Sequence, residues 1–442
     1  MNKIYFVGCG GVGYALLEIF KKEKLYRHCK YVIIDPRTPL DLEYVVEGLD
    51  WEFWKVAMTK ENCRDLLKDV DEKTFVVNVS VDVDSLMILQ VSKEKNAWYI
   101  DTSLEQYPDD EVLDPHDITS YKQFKRSNLY HQNLEAFKLM KGKGCRKTRA
   151  VSAGMNPGFI NEFVKRGLKE YAKGIGKKLK GGNWAKLAHD CGLKEIQCVE
   201  YDSQKMKEQA RSTPKRFIGT WSCIGLQEEA KEMVMLSLNN EDIKNMEEAG
   251  YKLIKPTETS DTHIRFIPER GMNMKRRSVA LDENGNPFEF EGSLIHHAEI
   301  ISMSDFFSYE GDAPTIMYVY RTCDESLKSL EVFKDRGFKN LPQYLVVRNN
   351  DVESGCDSIG ALLLFKNGDR YIGATISGKE DADRMGFKSG ATTIQVAGFM
   401  NAVIKWSLLH PMEGLNNTET IPHEYIFRHA SKYAGKLVFK KL

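Results

Sequence analysis

Acids, histidines and an indole in the second half of the chain have the types that handle a cationic nitrogen. Glu200 ends an apolar run (QCVEYD), Trp221 ends another (RFIGTWS), and Glu228 and Glu229 follow the next turn. His296, His297 and Glu299 share LIHHAEI, and Asp357 lies in SGCDSIG. A carboxylate-bearing substrate would call for arginine clamps, and no arginine set accompanies these residues. Carboxylates beside an indole face suit an ammonium group instead, through charge-assisted hydrogen bonds and cation–π attraction. The adjacent histidines lack further ligands at regular spacing, so the pattern predicts no metal.

The second chemical signal lies at the N-terminus. KIYFVG is a short apolar run without interior charge, as in a strand buried on both faces of a parallel sheet. It ends in Gly8, Gly10 and Gly13, a GxGxxG turn that also contains Gly11 and Val12, and YALLEIFKK then places Leu16, Leu17 and Phe20 on one helical stripe. Gly8 permits the turn, Gly10 admits a pyrophosphate, and Gly13 lets helix and strand approach, with helix N–H groups aimed at the phosphates. The next strand, YVIID, ends at Asp35, 22 residues after Gly13, where a dinucleotide fold carries its ribose-binding acid. A carboxylate there favours NAD over NADP; Arg37, two positions on, could tolerate the 2′-phosphate of NADP.

Strands are predicted at 74–79, 97–101 and 148–152, which with the helices between them give a doubly wound sheet. Polar residues follow the strand ends: Asn78, Ser80 and Asp82, then Asp101, Thr102 and Glu105, then Ser152 to Gly158, with Ala153, Gly154, Asn156 and Pro157. Ligands of such sheets bind outside the carboxyl ends of the strands, so these clusters are expected to converge on cofactor and reactant. Beyond 194 the texture changes to alternating strands, with Asn284-Gly285 and Asn367-Gly368 read as type I′ hairpin turns. The predicted fold is therefore α/β: an N-terminal Rossmann domain over 1–155 and an α+β catalytic domain with a mixed or antiparallel sheet over 156–389. An apolar helix at about 392–409 and the residues after it are expected to pack back onto the first domain.

Composition narrows the class. The 442 residues carry 63 Lys+Arg against 63 Asp+Glu, a formal net charge of +0, with 42% hydrophobic and 29% charged residues. No strong field draws this chain onto nucleic acid or anionic membranes, and the lysine-rich 139–183 stretch lacks interleaved aromatics. Its 9 cysteines are odd in number and form no CxxC pair, which fits reduced thiols in a cytosol. No apolar stretch approaches the ~18 residues of a membrane span, and no leader is recognisable. An intact cytoplasmic protein is expected.

Read in order, IYFVGCGGVG, VVNVSVDVDS, YIDTSLE, SAGMNPGF, VEYDSQ, GTWSCIGLQEE, IHHAEIISMSDFF, CDSIGALL and TTIQVAGFMNAVIKWSLLHP resemble the bacterial-type, NAD-dependent homospermidine synthases, distant relatives of saccharopine dehydrogenase. The resemblance spans nearly the whole chain. It implies NAD as a recycled cofactor and putrescine, alone or with spermidine, as substrate. One amine is oxidised to an imine, a second attacks, ammonia (or diaminopropane) leaves, and the product imine is reduced to homospermidine. It also implies roles. Trp221 would hold a cationic amine near the nicotinamide, and Glu200, Glu229 and His297 would surround the central amine, with Glu299 nearby. Asn156 and Asp82 would take the inner end of the substrate, Glu105 and Asp357 the outer end near the entrance. The family tends toward homodimers. Which of His296 and His297, and of Glu228 and Glu229, faces the substrate stays open.

The chemistry independently asks for these residue types. Only a neutral amine can be oxidised, so a base must strip an ammonium of pKa near ~10, which calls for a buried carboxylate or histidine with a tuned pKa. A cationic imine gains from an acid and an indole placed where charge develops, and water must be excluded. The competing readings are a reductive condensing enzyme of saccharopine or carboxynorspermidine type, an adenylating enzyme for ubiquitin-like proteins, which shares the glycine turn, and an inactive NAD-binding sensor.

Overall fold

The computed structural model describes all residues except 108–128, 142–145 and 257–261; Cys145 and part of the lysine-rich stretch fall outside the described residues. Seven parallel strands form the first sheet, in the order Leu415–Asn417, Arg149–Val151, Trp98–Asp101, Thr74–Asn78, Lys3–Val7, Lys30–Ile34 and Asp50–Trp54. From Ile4 onward the Lys3–Val7 strand is buried on both faces. Ile4 and Phe6 enter one core, Tyr5 and Val7 another. The helix Gly11–Lys22 packs on Ala391–Leu409, a helix buried nearly all round between layers.

The second sheet has nine strands. Leu193–Asp202 lies at its centre, parallel to Thr315–Arg321 on one side and antiparallel to Cys356–Phe365 on the other. Directly paired residues share a face, so Glu200, Asp202, Asp357, Tyr318 and Tyr320 are brought onto one side by register alone (Tyr320 opposite Glu200, Asp357 opposite Asp202). The chain's end serves both sheets: Leu415–Asn417 joins the first and Lys436–Lys441 pairs with Arg370–Gly378 in the second.

The hairpin turns differ from expectation. At 282–286 and 365–369 only Gly285 and Gly368 have positive φ, both +86°, and the glycine N–H closes onto Asp282 or Phe365 three residues back. These are three-residue loops ending in a left-handed glycine, since a type I′ turn would also require positive φ at the asparagine. Asp50–Trp54 was not anticipated, because as an edge strand it alternates charge with aromatics.

Candidate active site

The carboxyl ends of the parallel strands and one face of the mixed sheet enclose a cavity of about 670 Å³. One half is built for a dinucleotide. Gly8 has φ +85° and stands so close to Ser80 that a Cβ would fall 2.7 Å from its backbone, while a Cβ on Gly13 would lie 3.1 Å from the Gly8 carbonyl. Gly10 is the opposite case: its Cβ position has no atom within 4 Å and opens on the cavity. Asp35 at the rim accepts from the Cys9 N–H at 2.7 Å and the Arg37 N–H at 2.8 Å, which fixes its carboxylate with lone pairs to spare. A pyrophosphate over Gly10, Gly11 and Val12 and a ribose diol at Asp35 fit this cradle. Ser80, Thr102, Gly154 and Pro157 continue the lining.

Gly13, Asn78, Asp101 and Ala153 stand behind that wall. Asn78 donates to Ser85 and Tyr99 hydroxyls at 3.1 and 3.2 Å and accepts from the Ser80 hydroxyl at 2.6 Å. Asp101 accepts from the Ser152 N–H at 2.7 Å and the Tyr99 hydroxyl at 2.8 Å, tying two strand ends together. Neighbours hold both side chains inside the layer, so their expected cofactor contact becomes support of the residues that line the cavity.

The other half carries the acids and the indole. Trp221 follows the strand Arg216–Gly219, and Ser222 caps the helix Cys223–Lys231 by accepting from Gly225 N–H at 3.0 Å. A Cβ on Gly225 would strike the indole Cη2 at 2.4 Å, so glycine lets the ring lie across the first helical turn. The Trp221 carbonyl is 3.6 Å from the Cβ position of Gly11, which sets the tryptophan beside the dinucleotide cradle.

His297, rather than His296, is the centre of the acid network. Its Nδ1 meets Glu299 Oε2 at 2.6 Å and its Nε2 meets Glu229 Oε1 at 3.2 Å. Burial alone would push this imidazole down, but Glu299 and then Glu229 outweigh it and raise it to about 10. Burial raises Glu229, whose Oε2 has no protein partner. Glu299 lies wholly inside, off the cavity wall. Glu200 accepts from the Asn156 amide and the Tyr318 hydroxyl; burial pushes it up to about 7 against those bonds. His296 pairs with Glu232 at 2.5 Å, and Glu228 with Lys231.

Asp357 and Asp82 sit differently from the expected assignment. Asp357 is fully buried on the strand beside Glu200, with Oδ2 accepting from Thr392 at 2.7 Å and Oδ1 without a protein partner. Burial, then Glu200 and Asp202, raise it well above the usual range. It therefore lies beside Glu200, off the cavity wall, and does not line an entrance. Asp82 lies instead with Glu105, which burial first and then Glu232, Asp82 and Glu228 together raise to about 8. Strand register explains the difference, because it pairs Asp357 with Asp202 whereas Asp82 follows a strand of the other sheet. Tyr318, Lys231 and Glu232 line the cavity and were not anticipated. Tyr318 and Tyr320, two apart in TIMYVY, were the available signal, but only the pairing of their strand with Glu200's reveals it.

Among the described residues no cluster of three or more His, Cys, Asp or Glu is arranged to hold a metal, and no helix is long and apolar enough to cross a membrane. The saccharopine dehydrogenase NADP binding domain family matches residues 4–139. The chain is 27% identical over 463 residues to the homospermidine synthase of Blastochloris viridis (98% of this chain, 90% of that one) and 25% identical over 470 residues to that of Mesorhizobium japonicum (98% and 88%). Its fold matches the homospermidine synthase of Legionella pneumophila, solved in complex with NAD, at a TM-score of 0.83 and 24% identity, covering 100% of this chain and 91% of that one. Saccharopine dehydrogenase from Saccharomyces cerevisiae is more distant, at a TM-score of 0.53 and 11% identity. Similarity to homospermidine synthases thus runs along almost the entire chain, and the fold is shared with one of them.

Proposed function

We propose that the chain is an NAD-dependent homospermidine synthase, joining two putrescines, or putrescine and spermidine, into homospermidine with release of ammonia or diaminopropane. The observation that carries this reading is His297 held between Glu229 and Glu299, with Glu200 and Trp221 on the same cavity. Bound in the glycine cradle, NAD would supply the oxidation of one C–N terminus and its later re-reduction, with no net redox. The protein's own residues do the rest. With its imidazole raised to about 10, His297 is an acid at neutral pH, so Glu200 and Glu229 are the groups that accept a proton from the substrate ammonium. His297 returns a proton to the departing ammonia. Trp221 offers its ring face to the cationic imine beside the cradle. Asn156 and Glu200 take one terminal ammonium, with Asp357 buried behind them, and Asp82 and Glu105 take the other.

Arg37, at the cofactor end, is the single arginine among the described residues that line the cavity. A reductive condensing enzyme for amino acids would need an arginine clamp in the substrate half, which disfavours that alternative. Residues 1–155 form the NAD-binding unit in this proposal and 156–389 the catalytic one. A cytoplasmic setting agrees with eight described cysteines that are all free and buried, and a homodimer is expected from the family resemblance. Incubation of the purified protein with putrescine and catalytic NAD tests the function. Equal homospermidine and ammonia without accumulating NADH is the expected result; NADH consumed only when a carbonyl partner is added would overturn it.

A further inference from the structure

Lys231 is a cation built into the acid-lined part of the cavity around Glu105. It ends the helix Cys223–Lys231, its side chain is 21% exposed, and its ammonium donates to Glu228 Oε1 at 2.5 Å. Asp82, Glu105 and Glu232 share this chamber. The charges act on one another: Lys231 lowers Asp82 and Glu228 against burial, while Asp82, Glu228 and Glu232 each raise Glu105. The other cationic groups near the chamber each meet one of its acids. His296 is paired with Glu232, and Arg37 stands at the cofactor side, within the field of Asp82.

A lysine ammonium is the same chemical species as the end of an aliphatic polyamine. Tethered on Glu228, Lys231 neutralises one carboxylate and leaves Asp82 and Glu105 for a single incoming ammonium. A diamine whose other end sits near Glu200 brings one charge to this chamber. A triamine brings a second, which meets the Lys231 cation in a partly desolvated space where like charges repel far more strongly than in water. We infer, resting on the polyamine-synthase reading of this cavity, that Lys231 is a specificity residue that favours diamines over triamines as substrates. Its removal would free Glu228, leaving Asp82, Glu105 and Glu228 for a triamine's extra ammonium.

The test is a competition. Wild type, Lys231→Met and Lys231→Arg, each with NAD, receive equal putrescine and spermidine. In every productive event an aminobutyl group passes to an amine nitrogen, one C–N bond forming and one breaking, with ammonia or diaminopropane leaving. The fraction of turnover that consumes spermidine is then measured. Methionine keeps the unbranched stem and its packing and removes only the charge. The expected result is a rise of about tenfold in the ratio of spermidine to putrescine use in Lys231→Met, with Lys231→Arg at the wild-type ratio. Should Lys231→Met turn over poorly, the ratio of its dissociation constants for the two amines reads the same preference. An unchanged ratio in Lys231→Met, or an equal shift in Lys231→Arg, overturns the inference while leaving the enzyme's function standing. Wild-type protein that makes no homospermidine from putrescine overturns the functional reading and this inference with it.

Discussion

The rings of His297 and Tyr318 stack face to face, centroids 4.5 Å apart and planes 21° from parallel, while the Tyr318 hydroxyl donates to Glu200. One tyrosine thus steadies the imidazole with its face and a carboxylate with its edge. Tyr318→Phe separates the two tasks. The ring remains, but Glu200 loses a bond that opposes its upward shift. A hydrogen bond to a charged group contributes about 1.5–3 kcal/mol, so putrescine kcat/KM at pH 7 should fall by roughly 10- to 100-fold. The acidic limb of the pH profile should move upward. A uniform loss at all pH values would assign Tyr318 to packing alone.

Substrate capture should be coupled to proton release. Burial raises Glu200 to about 7 and Glu105 to about 8, so both are substantially protonated in the free protein at neutral pH. An ammonium beside each favours the charged form, and the protons leave as the amine binds. Diamine affinity should therefore rise from pH 6 to pH 8.5. Calorimetry in two buffers of different ionisation enthalpy should show protons released per putrescine bound at pH 7. Identical enthalpies in both buffers would contradict this.

Much of this was legible in the sequence, where local chemistry and strand periodicity determine it. The glycine turn with Asp35 needs only one strand, one turn and one helix in register, and Trp221, Glu200, Glu229 and His297 all come to one cavity. What sequence order could not supply was adjacency between distant strands. The burial of Asp357 off the cavity wall is such a case, since its strand pairs with the Leu193–Asp202 strand. Tyr318 is another, its partner Glu200 lying 118 positions away. The choice of His297 over His296 likewise depends on which side chain turns toward Glu229. Asn78 and Asp101 show the converse. They stand at strand ends, where ligands bind, yet neighbouring hydroxyls and backbone amides hold them inside.

The same buried acids set the pH dependence of stability. Asp101 and Glu105 are raised to about 8 and Glu200 and Glu419 to about 7, burial being the first cause in each. The folded state keeps protons that the unfolded chain gives up above about pH 4.5, so their contribution is full below that pH and is lost as pH climbs through 7 to 8. His297, raised to about 10, acts in the same direction between pH 6.5 and 10. Exposed acids lowered by lysine partners, such as Glu47 and Asp190, are ionised in both states above pH 5 and add no slope there. The melting temperature of the free protein should be higher at pH 6 than at pH 8.5, and putrescine should recover part of the loss. A melting temperature that climbs over this interval would show that these carboxylates are not held neutral.

Gly225 offers a way to move the indole without touching it. It lies in the first turn of Cys223–Lys231, where alanine is the better helix former by about 1 kcal/mol, and Ser222 caps the turn through a backbone N–H that alanine retains. The helix should therefore survive Gly225→Ala, but the new methyl would stand 2.4 Å from Trp221 Cη2, so the ring must leave its place across the first turn. A desolvated cation–π contact is worth about 2 kcal/mol. A fall of roughly 30-fold in putrescine kcat/KM is expected, with thermal stability within a few degrees of wild type. Trp221→Phe provides the reference, since it keeps an aromatic face of lower electron density at the original position. If the indole holds the developing cation, both variants lose kcat/KM and the double variant loses little more than Gly225→Ala alone, because the displaced ring no longer contributes. Full turnover in Gly225→Ala, with tryptophan fluorescence showing a displaced ring, would deny the indole that role.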